Sequence, residues 1–186
     1  MSIQNIRQEI VSWCSGKNWF WRLPLLLYFA YVFVRHISDP MYSSVLGGIN
    51  LGIHELGHFV FGFLGEFMAV AGGTLLQILI PVFGMVNFMR QEDYFSLALC
   101  FGWLSTNFFE ISRYASDARS ISLPLVSPFG GDTVIHDWEY MLDKLHILQY
   151  DIIVGNGFKI LAAFMMLICL IFGVLQLWLM KRYSSR

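Results

Sequence analysis

Apolar residues in this chain fall into long runs broken by short polar stretches, and the run lengths set the first expectations. A helix that crosses a bilayer needs about 20 mainly apolar residues, fewer where flanking side chains reach the interface. Five runs qualify, at roughly 23–38, 42–64, 67–88, 94–112 and 158–180. The third carries Gly72-Gly73 and Pro81, which interrupt helices, so it is expected to be a broken or re-entrant segment. Ahead of the first run, Ile3, Ile6, Ile10 and Trp13 share one helical face, and Trp13, Trp19 and Trp21 suit a headgroup boundary. Between the fourth and last runs the chain turns polar. The first half of residues 113–156 has the Ser, Pro and Gly content of a loop. The second half sets Trp138, Met141, Leu142, Leu145 and Leu148 at helical spacing, opposite His136, Glu139, Asp143 and His146.

The pattern therefore predicts an all-α integral membrane protein, a single domain over residues 1–186. Its parts are an interfacial helix (1–21), a membrane core (22–112), a loop with an amphipathic helix (113–156), and a last transmembrane helix with a basic tail (157–186). The core is a bundle of four to five transmembrane helices. Basic residues near both ends, Lys17 and Arg22 on one side and Lys181, Arg182 and Arg186 on the other, favour both termini in the cytoplasm. That requires an even number of crossings, which points to four full spans plus the broken one.

Composition sharpens this reading. Only 13% of the 186 residues are charged, against about 25% in ordinary soluble domains, and the deficit sits inside the apolar runs. The lipid bilayer is the expected surrounding. A net charge of −1 offers nucleic acid no electrostatic footing. Cys14, Cys100 and Cys169 are far apart and form no C-x-x-C, so they read as packing residues rather than disulfides or thiolate ligands. No G-x-G-x-x-G or Walker loop is present.

The second run goes against its own apolar character. It reads "LGIHELGHFVFG" over residues 51–62, with His54, Glu55 and His58 in its middle. An ionisable group in hydrocarbon costs at least a few kcal/mol, so such residues are usually paired, metal-bound or functional. The spacing fits H-E-x-x-H. In a helix, residues four apart lie one turn up on nearly the same face, so both imidazoles can reach one Zn²⁺. Glu55 sits beside them to take a proton from a water that the metal activates. Asn50 extends the polar stripe, and Gly48 and Gly52 form a G-x-x-x-G where another backbone can come close. Thr74 and Gln77, three apart in the third run, read either as contacts to the same cavity or as interhelical glue.

"HELGH" in a membrane helix, followed by a Gly-rich segment, resembles the site-2-protease-type intramembrane zinc metalloproteases over about residues 50–85. The resemblance implies that His54 and His58 are zinc ligands and that Glu55 is the catalytic base. It implies a membrane protein or peptide as substrate, cut at a peptide bond in or near the membrane. In that family the third ligand is an Asp followed by Gly, and no Asp-Gly occurs in this chain. A catalytic zinc normally has three protein ligands, and the segment "GGDTVIHDW" supplies the candidates. A turn at Gly130-Gly131 can bring its end to the bundle, with His136 as the expected third ligand and Asp137 orienting it. Asp137 and Asp132 are the alternatives for the ligand.

Two competing readings remain. One is a catalytically lapsed relative that binds metal or partners. The other, a di-iron oxygenase, also uses H-x-x-x-H pairs but needs more than the five histidines here, and the other three form no second pair.

Overall fold

The computed structural model describes residues 3–124 and 136–184, and every regular element among them is helical. The first, α1 (Ile3–Cys14), is shorter than the interfacial helix expected over 1–21. The side chains of Ile3 and Ile6 lie outside the described set. Trp13 packs edge-on against Tyr94, with ring centroids 5.8 Å apart, so α1 is docked on the bundle.

Helix α2 (Leu23–Ser38) matches the first apolar run, with Pro24 in its first turn, where a missing N–H breaks no helical bond. Helix α3 (Gly47–Gly62) is shorter than its 42–64 run. Helix α4 (Glu66–Arg90) follows, and then α5 (Tyr94–Ser116), whose N-cap Asp93 accepts from both the amide and the hydroxyl of Ser96. Helix α6 (Asp137–Lys144) is the amphipathic element; its Trp138, Met141 and Leu142 are buried as expected, whereas Leu145 is exposed. Helix α7 (Asp151–Arg182) begins well before residue 158. The polar segment expected over 113–156 thus loses both its ends to helices.

The interruption expected in the third run does not occur, because α4 is one continuous helix through Gly72, Gly73 and Pro81. A helical glycine costs about 1 kcal/mol and a proline about 3, but here packing offsets these costs. Gly57 of α3 and Gly72 of α4 meet backbone to backbone, and Gly73 lies under the His54 ring. The glycines are spacers for a close helix crossing rather than breaks.

Two helical stretches, Glu66–Arg90 and Leu148–Arg182, are long and apolar enough to cross a membrane. Helix α2 is apolar but has only 16 residues, about 24 Å of rise.

Neighbouring residues show the direction of each helix. His54, Gly57 and His58 of α3 meet Gly73, Gly72 and Ala69 of α4, so these two are antiparallel. Gln77 and Gly84 of α4 meet Glu110 and Cys100 of α5, again antiparallel. Gly102 and Ser105 of α5 lie against Cys169 and Ala162 of α7, and Leu26 and Trp19 in and before α2 lie against Gly173 and Lys181 of α7. Hence α2, α3 and α5 run one way and α4 and α7 the other. The consecutive helices α2 and α3 are parallel, so the connection 39–46 doubles part of the way back. The start of α2 and the end of α7 share one end of the bundle, where the Gly16 amide donates to the Tyr183 carbonyl at 3.4 Å.

The three cysteines are free and buried, as read from the sequence. The crossing of α3 and α4 makes a prediction. Gly57→Ala would drive a methyl into the Gly72 carbonyl, and overpacking of this kind costs roughly 1–3 kcal/mol. Gly52→Ala meets nothing within 4 Å and should leave stability unchanged or raise it by up to about 1 kcal/mol, the helix propensity it recovers. Thermal unfolding of the two variants in detergent checks the contrast.

Candidate metal centre

The site forms where α3, α4 and α6 converge, toward the end of the bundle away from the basic termini. One helical turn separates His54 from His58 on α3, and their rings stand edge to face with centroids 4.9 Å apart. Both present Nε2 to a single oxygen, Oδ2 of Asp137, at 2.8 Å from His54 and 3.4 Å from His58. One ligand atom from each of these three residues can be chosen with all of them within 4.8 Å of one another, a group able to hold a metal ion.

The far side of each imidazole fixes its tautomer. His58 Nδ1 lies 2.8 Å from the Ala69 carbonyl, which can only accept, so Nδ1 carries the proton. Gln77 Nε2 donates to Glu110 Oε2 at 3.1 Å, which turns Gln77 Oε1 toward His54 Nδ1, also 3.1 Å away. His54 Nδ1 therefore donates as well. In the neutral rings both Nε2 atoms carry lone pairs facing a carboxylate oxygen. A proton on one ring would relieve one contact, whereas a metal cation satisfies all three groups together. Ligand atoms around a tetrahedral zinc bound at ~2.0–2.1 Å lie roughly 3.3 Å apart, close to the nitrogen–oxygen distances seen here.

Behind these three side chains a buried polar network ties three helices. Asn50 Nδ2 donates to Glu110 Oε2 at 3.0 Å, and Trp103 Nε1 donates to Asn50 Oδ1 at 2.8 Å. Glu110 thus accepts from both Asn50 and Gln77 and holds the Gln77 amide in the orientation that sets His54. Such outer partners orient metal-bound histidines and are worth 10–100-fold in affinity, typically. Thr74, expected near the same cavity, is buried with its hydroxyl unpartnered among the described residues.

The third group differs from the expected one. Asp137, not His136, stands beside the two histidines. His136 is the N-cap of α6, its Nδ1 accepting from the Glu139 amide at 3.2 Å. Burial holds its imidazole below the ordinary value, although Asp117 and Asp137 pull it up, and the neutral ring is the form whose Nδ1 can accept. Its Nε2 faces Asp117 Oδ2 at 3.6 Å, and its ring lies against Tyr114 with centroids 4.2 Å apart. The Tyr114 hydroxyl accepts from the Asp137 amide at 3.2 Å. His136 therefore anchors the helix that presents Asp137. It is buried, where the amphipathic pattern placed it on the polar face.

Asp117 in turn is locked. Burial alone would raise its carboxyl, but the hydroxyls of Ser120 and Ser122 and the amides of Leu123 and Ser122 donate to it and hold it well below the usual carboxylate range. Asp132 lies outside the described residues. Asp151 is remote from the site and pairs with Arg119 at 2.7 Å. Glu55, next to His54, is half-buried and makes no hydrogen bond or ion pair among the described residues.

Tyr114, Trp103 and the Ala69 carbonyl carried no sequence signal as site residues. Glu110, the one carboxylate of the apolar run 94–112, reads from sequence as a candidate third ligand at a membrane edge; the structure instead places it behind His54 through Gln77. Searches against protein-family models, curated proteins and solved structures find no match for this chain.

Proposed function

We propose that this chain is a multi-pass intramembrane zinc metalloprotease that hydrolyses a peptide bond in or near the bilayer. The observation that carries the reading is the convergence of His54 Nε2, His58 Nε2 and Asp137 Oδ2, with both Nδ1 atoms already committed elsewhere. Two histidines and one carboxylate match the ligand count of a catalytic zinc, which keeps a further position open, rather than a closed structural site. When bound, zinc polarises a carbonyl and lowers the pKa of a coordinated water to about 7. The chain's own part falls to Glu55, whose carboxylate accepts the proton of the attacking water and returns it to the departing amine. Glu55 shares its helical face with Gly48 and Gly52, where a methyl group placed on either glycine would meet no atom within 4 Å, so a substrate backbone has room beside the base.

Membrane embedding is supported by the outer faces of the bundle. Phe59 of α3 and Phe63 just after it, Phe83 of α4 and Ile153, Ile160, Phe164 and Ile171 of α7 are all exposed large apolar side chains. Faces of this kind suit lipid and not water. Because α2 and α3 are parallel, together they count as one net crossing. With α4, α5 and α7 the chain then makes four crossings and keeps both basic ends on one side, the cytoplasm by the charge rule.

The test is metal content together with proteolysis. Wild-type protein purified in detergent without chelator should hold about one zinc per chain, and it should cleave a membrane-embedded peptide. His58→Ala should lose the metal. Metal-free wild-type protein would sink the enzyme reading. Bound zinc with no cleavage of any membrane peptide offered would favour the lapsed relative instead.

A further inference from the structure

At the opposite end of the bundle from the metal centre, α2 and α7 leave an apolar groove of about 430 Å³ between them. Its walls include Leu23 and Ala30 from α2 and Leu170 and Val174 from α7, with Trp19, Trp178 and Lys181 at its mouth. Among the described residues, Lys181 is the only charged one lining it. Along α7, Leu170 to Lys181 is a rise of about 16 Å. One leaflet of a bilayer core is about 15 Å deep.

The mouth is cationic. Lys181 Nζ lies 5.5 Å from the Trp19 ring, and Arg182 lies 5.1 Å from the Trp178 ring. Lys17 and Arg22 both flank the ring of Trp13, at 4.4 and 6.0 Å. None of these four cations pairs with a carboxylate among the described residues. Of the acids at this end, Asp93 caps α5 and Glu9 accepts from the Tyr94 hydroxyl at 3.4 Å, while the exposed Glu92 stands in the turn between α4 and α5 and makes no ion pair with any of the four cations.

We infer that this groove is a binding site for an anionic phospholipid, one acyl chain lying between α2 and α7 and the phosphate held by Lys181 with Arg22, Lys17 and Arg182 around it. An apolar channel one leaflet deep accounts for the chain. A headgroup-level ring of cations and indoles accounts for the negative charge. The inference rests on the membrane embedding proposed above but not on the metal, so Glu55→Gln or zinc-stripped protein should bind lipid unchanged.

The experiment counts bound lipid by native mass spectrometry, titrating delipidated full-length protein with dioleoyl phosphatidylglycerol or dioleoyl phosphatidylcholine. Wild type should prefer the anionic lipid by about tenfold or more, and that preference should collapse at high salt. Lys181→Gln with Arg22→Gln should bring the two lipids close to parity while leaving phosphatidylcholine binding unchanged. Ala30→Trp, which fills the groove, should weaken both. Equal binding of the two lipids by wild type overturns the site, as does a preference that persists at high salt or in the Lys181→Gln, Arg22→Gln protein. The salt series uses wild type alone, so it remains decisive even where a variant misfolds.

Discussion

Asp137→Ala should leave the purified protein without zinc, whereas His136→Ser should keep it. Asp137 supplies the oxygen that both Nε2 atoms face, at 2.8 and 3.4 Å. Its removal takes away the negative charge at the convergence of the two histidines and should cost more than the 10–100-fold typical of an outer partner. His136 acts one step back. Its ring nitrogen caps α6 by accepting from the Glu139 amide, a task a serine hydroxyl performs equally well at an N-cap. His136→Ala, which cannot cap, should lower stability by about 1 kcal/mol and weaken zinc binding only modestly. Chelator-competition titration of all three variants separates the roles. Were His136 a ligand, the serine variant would lose metal as completely as Asp137→Ala.

Glu55→Gln should retain full zinc and lose proteolysis. Glutamine keeps the shape of the side chain but cannot take a proton, and general bases contribute typically 10²–10⁴-fold to rate. Glu55 is half-buried and held by no partner among the described residues, so its replacement leaves the ligand network of Gln77, Glu110 and Ala69 untouched. Zinc content and cleavage measured on one preparation check both halves. A Glu55→Gln protein that cleaves at the wild-type rate would remove this residue from the chemistry and with it the proposed mechanism.

Much of the site was legible in the chain. His54, Glu55 and His58 are local: their relation follows from helical spacing alone, and the apolar surroundings single them out as ionisable groups in need of a partner. Gln77 could be named as facing the same cavity but not given its task, because whether it orients His54 or merely joins helices depends on where Glu110 stands. The choice between His136 and Asp137 could not be made from adjacency. Neighbouring residues at a helix start point in different directions, and which one reaches the histidines depends on how α6 is anchored. That anchoring comes from Tyr114 and Asp117 at the far end of α5, about 20 residues earlier in a chain whose turn chemistry gives no hint of the partnership.

By itself the sequence determined that the chain is helical, apolar in long runs, and carries one pair of histidines and a glutamate at metal-binding spacing. These are properties of period and composition, and they hold whatever the helices pack against. Tertiary structure alone decided three things. It made Gly72 and Gly73 a contact surface, since a glycine breaks a helix or tightens a crossing according to what lies opposite, and here that is Gly57. It set α2 and α3 parallel, which lets two basic ends share one end of the bundle despite five apolar runs. It carried Asp137 across 83 positions of sequence to His54, because a ligand set is a matter of distance in space, and that distance is fixed only when α5 holds α6 against the histidines.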